Sequence, residues 1–303
     1  MFLFVLILLF TGIAPAAPEA ADEPVGVVLA AGDSAQVLRW NHRQPAPLRT
    51  GELIYPGDRL RAGGQELTLL YCPKSAARTY DAGSEAVAEP ARVVLDKGQA
   101  RSERKVSSCF LPKVLRLDYA SLQRFGGMAV RDMPGSVRLL TPVNSAVRSG
   151  RPSFSWRPVD GADSYDIEVS TERGERLWKA RIEGATEAAY SADAPELVPG
   201  RSYRWRVQAF EGERRVASAE TRFRTLSEPE RARLETDLAR IESEAGLAAG
   251  IFRAACLERA GVLHDAISAY DDLIAAAPNA SWLKGKRALL AKRVDSQQRP
   301  PAI

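Results

Sequence analysis

The chain has 303 residues, 45% of them apolar and 26% charged, and a formal net charge of +4. That length holds two or three domains of ordinary size, and the composition is that of a globular rather than a low-complexity protein. The basic residues are dispersed apart from a short C-terminal stretch, which argues against a nucleic-acid binder with one concentrated basic face.

Phe2 to Phe10 is an unbroken apolar run, extended weakly by Thr11, Gly12 and Ile13. It falls short of the roughly 20 residues a membrane-spanning helix needs. Ala14-Pro15-Ala16 follows as an A-x-A type site. The pattern predicts a secretory signal peptide over residues 1–16, although no Lys or Arg precedes the run. No Cys stands just after the run, so a lipid anchor is not expected. No later segment reads as transmembrane, and the expected location is the periplasm or the cell exterior.

Residues 17–24 read as a spacer, and a first β domain is expected over 25–112. Val25 to Leu29 and Gln36 to Trp40 read as short strands joined by a Gly32-Asp33 turn. Leu67 to Cys72 reads as a further strand, with weaker candidates at Val93 to Leu95 and Ala100 to Arg104. Many short strands punctuated by Gly, Pro and Asp suggest a β-sandwich or β-roll. Cys72 and Cys109 flank one segment of this domain, and an exported protein meets oxidising conditions. A Cys72–Cys109 disulfide is therefore expected, closing a loop credited with roughly 4 kcal/mol on a chain-entropy argument.

The positions Gly26, Val28, Gly32, Asp33, Val37, Leu48, Gly51, Leu53, Tyr55, Gly57, Asp58, Leu60, Gly64, Leu67 and Leu69 carry a pattern that resembles the FecR-like periplasmic β domain. The resemblance covers about residues 25 to 105 and is most specific over Gly51 to Leu60. The glycines are expected to serve tight turns, and Asp33 and Asp58 turn hydrogen bonding. Full sensors of that family carry an anti-sigma region and a membrane helix before this module. Neither is present ahead of Val25 here, so the resemblance implies the module more than a signalling role.

Residues 113–135 read as a connector. A second β domain is expected over 136–226. Phe154 and Trp156 alternate with polar neighbours, as do Tyr165, Ile167 and Val169, and then Tyr203, Trp205, Val207 and Ala209. This is the period of strands with one buried face. Asp160-Gly161 supplies a turn between the first two runs. The segment, with Pro199-Gly200 before its third run, resembles a fibronectin type III or immunoglobulin-like sandwich, with room for about seven strands. Trp156 and Trp205 are assigned to its core, and Arg204 and Arg206 to a wet sheet face.

From Ser227 the period becomes helical. Ser227-Glu228-Pro229-Glu230 fits a capping box, and Leu234, Leu238 and Ile241 recur at helical spacing up to Gly246. Helices are expected over about Leu247 to Arg259 and Leu263 to Ala276, split by Gly261 and stopped by Pro278. A fourth is marked by Trp282, Leu283, Leu289, Leu290 and Val294. Ala254, Gly261, Ala266, Tyr270 and Pro278 resemble one tetratricopeptide repeat, with Leu257 and Leu273 departing from it. A single repeat cannot bury its face alone, so its neighbours within 227–294 are the expected packing partners. Residues 295–303 read as a disordered tail.

The fold class expected is therefore multidomain, mainly β over the first two thirds, with an all-α helical-hairpin segment at the end. No catalytic, cofactor-binding or metal site is expected. His42 and His264 stand in no metal-ligand spacing and read as exposed or capping residues. Cys72 and Cys109 are too far apart for a zinc knuckle. Cys256, inside a helical pattern, reads as a small buried residue. Asp271, Asp272, Glu228, Glu230 and Glu235 read as solvated helix faces. Lys284, Lys286, Arg287, Lys292, Arg293 and Arg299 form a basic stretch that also reads as a solvated face. Three binding-type modules without an active site suggest a non-catalytic exported envelope protein that acts as a protein-interaction or scaffold module. Its partner is expected on the helical segment. The alternatives are a glycan- or peptidoglycan-binding protein, or a FecR-related signalling component lacking the anti-sigma and membrane parts.

Overall fold

The computed structural model describes residues 23–40, 42–106, 135–241 and 246–295. The expected signal peptide, Cys109, all of the connector except Gly135, and the tail beyond Asp295 lie outside the described residues.

The first β unit has ten short strands. They are β1 (Gly26–Ala30), β2 (Gln36–Leu38), β3 (Ala46–Pro47), β4 (Leu53–Ile54), β5 (Arg59–Arg61), β6 (Leu67–Tyr71), β7 (Ala76–Tyr80), β8 (Glu85–Ala88), β9 (Val93–Lys97) and β10 (Ala100–Lys105). They form two five-stranded sheets, ordered β10-β7-β6-β1-β4 and β3-β2-β5-β8-β9. Val28, Ile54, Leu69 and Tyr80 share one buried cluster with Val37 and Leu60 of the other sheet. Asp58 is fully buried in the β4–β5 turn. Its carboxylate accepts the Tyr55 N–H at 2.9 Å and pairs with Arg39. Burial pushes this carboxyl upward in pKa, and Arg39 and the Tyr55 N–H oppose that shift.

Two strands of this unit depart from simple alternation. Val27 and Val28 are neighbours in β1 and both fully buried, and Leu69, Leu70 and Tyr71 are buried in succession in β6. A strand buried in succession is covered on both faces. Val28 and Leu69 face the other sheet, while Val27 and Leu70 belong to a second apolar cluster that runs on through the rest of the chain. Gly26 is a correction to the turn reading. It lies in β1, where a Cβ would stand 2.3 Å from the Leu70 carbonyl oxygen, so the residue is small because the strands close tightly there.

The second β unit has strands β11 (Leu139–Thr141), β12 (Ala146–Val147), β13 (Ser153–Trp156), β14 (Ser164–Thr171), β15 (Arg176–Glu183), β16 (Glu187–Ala189), β17 (Ser202–Glu211) and β18 (Arg214–Thr225). A three-stranded sheet, β11-β13-β16, and a five-stranded sheet, β12-β18-β17-β14-β15, make a sandwich. Its centre is aromatic. Phe154 lies 5.0 Å from Trp205, and Trp156 lies 5.4 Å from Tyr165, between ring centroids. Such pairs add to the area they bury. Trp156 and Trp205 are core residues, as their alternation predicts, and the Trp205 indole N–H donates to the Pro142 carbonyl at 2.6 Å. Trp178 also joins this core, 5.9 Å from Phe154.

Four helices follow: α1 (Glu228–Ile241), α2 (Gly246–Ala260), α3 (Leu263–Ala276) and α4 (Ser281–Asp295). At the start of α1, Glu230 reaches back to the Ser227 N–H at 2.9 Å, which is one half of a capping box. Arg224 forks onto the same carboxylate at 2.8 and 3.1 Å, and these bonds hold its pKa down to about 2. The interior of the helical segment is polar at one point. The Glu258 carboxylate of α2 accepts from Tyr270 of α3 at 2.8 Å and from Lys286 of α4 at 3.0 Å. Lys286 is 5% exposed, which corrects its place in a solvated basic face. Arg287 stays on that solvated face, 43% exposed and paired there with Asp271 at 3.0 Å. Lys284, Lys292 and Arg293 remain exposed, and Arg299 lies outside the described residues.

The helical segment docks on both β units. Toward the first, the Trp282 indole N–H of α4 donates to the Gly51 carbonyl at 2.5 Å. Gly51 sits at φ +85°, and a Cβ there would lie 2.8 Å from the Ala280 Cβ and 2.9 Å from the Ala277 Cβ. The residue that makes the turn thus also makes room for the helices. Replacing Gly51 by Ala should combine left-handed strain, about 1–2 kcal/mol, with an overpacking cost of similar size. Gly83 has φ +76° and nothing within 4 Å, so Gly83→Ala carries the backbone strain alone. Denaturant unfolding should show a larger loss for Gly51→Ala than for Gly83→Ala; equal losses would remove the docking contact from the account.

Candidate partner-binding cleft

The junction between the second β unit and the helices begins with an uncapped helix. Helix α3 starts after Val262, which has no side chain able to satisfy the first orphan N–H groups. The Leu263 N–H instead donates to the Ser145 hydroxyl, 118 positions earlier, at 2.9 Å in a buried setting. The Ser145 hydroxyl in turn donates its O–H to the Ala146 carbonyl at 2.9 Å. The Ala146 N–H donates to the Gly261 carbonyl at 2.9 Å. A loop of the sandwich therefore caps a helix of another unit.

His264 completes the junction. Its Nε2 lies 2.8 Å from the Val143 N–H, a bond that the ring accepts only when neutral at that nitrogen. Burial lowers its pKa from the ordinary value of 6.5, while the backbone hydrogen bond with Val143, whose carbonyl also lies 3.2 Å from Nε2, and the charges of Asp265 and Asp295 act in the opposite direction. This corrects the reading of His264 as exposed or as an ordinary capping residue. His42 is exposed, as read from the sequence.

Three residues beyond Ser145 stands Arg148, and it lines a cleft of about 450 Å³. The other walls are Glu235, Leu238, Ala239 and Ile241 of α1 with Ala249, Gly250 and Arg253 of α2. Leu238, Ile241 and Ala249 give an apolar floor. Arg148, Arg253 and Glu235 are exposed. The combination of an apolar floor with a few charged groups is that of a recognition cleft rather than of a closed core. Sequence reasoning expected a binding surface on the helices without naming its residues. Leu238 and Ile241 were visible as one helical stripe, but Arg148 gave no signal, because its place depends on a contact between distant segments.

Cys256 is a free, buried thiol whose pKa burial raises. Cys72 is 6% exposed and opens a 3₁₀ turn over Cys72–Lys74. Its expected partner, Cys109, lies outside the described residues. Among the described residues, no group of three or more His, Cys, Asp or Glu could hold a metal ion, and no helix is long and apolar enough to cross a membrane.

Residues 142–226 match the family described as the Rha78A-like, N-terminal immunoglobulin domain. Together with the two-sheet topology, this makes the second β unit an immunoglobulin/fibronectin type III-like sandwich. Among solved structures, the chain is similar to the fn3 domain of human collagen alpha-1(XX) chain at 22% identity, covering 33% of this chain and 94% of that one with a TM-score of 0.24. It is similar to a two fibronectin type-III domain segment from chicken tenascin at 11% identity, covering 67% and 95% with a TM-score of 0.24. It is also similar to CopC from Methylosinus trichosporium OB3b at 15% identity, covering 30% and 95% with a TM-score of 0.24. At those scores the structural likenesses carry no argument about function. No curated protein matches the chain.

The junction predicts a pH dependence. A His whose folded pKa is depressed leaves the unfolded chain binding the proton first as pH falls. Its contribution is intact above about 6.5 and declines as pH drops from there toward the folded value. His264→Gln should remove that part of the slope, so wild-type stability should fall more than that of the variant between pH 7 and pH 5. Parallel profiles would show that His264 is not the titrating group.

Proposed function

We propose that this chain is a non-catalytic, exported envelope protein that acts as a protein-interaction scaffold, with the cleft between α1 and α2 as its partner site. The observation that carries this reading is the cleft itself. It joins an apolar floor at Leu238 and Ile241 to two arginines, Arg148 and Arg253, supplied by different units. The partner that fits is a peptide segment with an apolar anchor for the floor and an acidic group for the arginines. Immunoglobulin and fibronectin type III-like sandwiches commonly serve as interaction modules, which supports the same reading.

The finer parts of the reading go with it. The first β unit is a FecR-like module, supported by the turn glycines Gly51 and Gly57, both at positive φ. Helices α2 and α3 form a tetratricopeptide-like hairpin, supported by Gly261 at φ +75° between them. The Cys72–Cys109 disulfide is part of the exported state, and denatured, unreduced protein should then label at one thiol, Cys256; three labelled thiols would remove it.

The test of the function is site-specific photocrosslinking in the native cell. A crosslinker in place of Leu238 should capture a defined envelope protein, and Arg253→Glu should cut that capture several-fold through charge reversal. The same crosslinker at exposed Asp160 should not capture it. Equal capture from both positions, or none that responds to Arg253, would overturn the assignment.

A further inference from the structure

The outer face of the five-stranded sheet in the sandwich is organised in cross-strand rows. Register places Arg176 of β15 opposite Ser170 of β14, Ser170 opposite Arg204 of β17, and Arg204 opposite Arg222 of β18. The row Arg176–Ser170–Arg204–Arg222 contains three arginines and no carboxylate. At a strand spacing of about 4.8 Å it spans roughly 14 Å. The next row, Lys179–Glu168–Arg206–Glu220, alternates in sign.

Like charges directly opposite each other on an antiparallel pair oppose folding. Arg204 and Arg222 are such a pair. The surrounding carboxylates relieve the row unevenly. Arg176 lies 3.3 Å from Glu168, and Arg204 lies 3.6 Å from Glu220 while donating to the Glu172 carbonyl at 2.6 Å. Arg222 is exposed and pairs with no carboxylate among the described residues. The large exposed apolar side chains among the described residues, Trp40, Leu140 and Val198, belong to none of the four strands of this row. Protein interfaces centre on aromatic and apolar anchors, and the row itself has none; the half-buried Phe210 of β17 lies away from it, under Arg181.

We propose that this arginine row binds an acidic polysaccharide, laid across the strands so that successive carboxylates meet Arg176, Arg204 and Arg222. Guanidinium groups take carboxylates through paired N–H donors, which suits a flat row of arginines exposed at Arg176 and Arg222 and half-buried at Arg204. A duplex nucleic acid offers the same sign of charge, but a single row of three cations reaches few of its phosphates, and affinity there grows with the number neutralised. This inference is independent of the cleft, because none of the row's residues lines it.

The experiment uses the full chain and immobilised polygalacturonate at low salt, with neutral dextran and duplex DNA as comparison surfaces. Wild type should bind polygalacturonate, and Arg222→Ser should weaken that binding about tenfold through the lost charge-assisted contact. Arg157→Ser removes an exposed arginine outside the four strands of the row and should leave affinity within about twofold. In the absence of polysaccharide, Arg222→Ser should melt at or above the wild-type temperature, since it removes the opposed pair. Failure of wild type to bind, equal weakening by Arg157→Ser, or equal binding to dextran would overturn the proposal. Tighter binding to duplex DNA than to polygalacturonate would overturn the choice of polysaccharide. A drop in melting temperature for unliganded Arg222→Ser would overturn the argument from opposed charges.

Discussion

Helix α3 begins without a cap of its own, and the hydroxyl of Ser145 supplies one from the sandwich. A buried N–H left unsatisfied costs about 1–3 kcal/mol, so this bond ties the start of the helix to the position of the 143–146 loop. The backbone bond from Ala146 to Gly261 and the ring of His264 on Val143 lie beside it. The functional consequence follows from chain connectivity. Arg148 stands three residues after Ser145, so the loop that caps α3 also carries Arg148 to the rim of the cleft. The cleft is thus a product of docking, not of the helices alone.

The far end of the helical segment is held by a different device. Gly51 offers a carbonyl to Trp282 and no side chain to Ala277 and Ala280. Val27 and Leu70 belong to the same continuous apolar cluster as Trp282 and Leu283 of α4. One sheet of the first β unit therefore buries both faces, which is why β1 and β6 read as apolar runs rather than as alternating strands. Within the helices, Glu258 bonded to both Tyr270 and Lys286 fixes the relation of α2, α3 and α4. A half-buried carboxylate with two donors is costly to break and so holds one packing against others.

Much of this fold was legible in the sequence, and the reason is periodicity. The alternation of Phe154 with Trp156, and of Tyr203, Trp205 and Val207, marked strands whose inner faces the structure buries. Leu263 to Ala276 was marked as a helix by spacing and by Gly261 and Pro278, and α3 has those bounds. The junctions were not legible. Ser145, buried, and His264, half-buried, are polar residues whose junction partners lie more than a hundred positions away, so nothing local marks their roles. Lys286 reads as a surface lysine until Glu258 is placed beside it. The arginine row was half visible, since Arg204 and Arg206 read as a wet sheet face, but only the register brings Arg176 and Arg222 into line with Arg204.

The central claim is that the helical segment joins both β units into one cooperative structure through the Ser145 cap and the Gly51 contact. Differential scanning calorimetry of the wild type and Ser145→Ala tests it most directly. The account predicts one transition with matching calorimetric and van't Hoff enthalpies, and a shift of the whole transition to lower temperature in the variant. Separate transitions for the β units and the helices, with Ser145→Ala moving none of them, would contradict it.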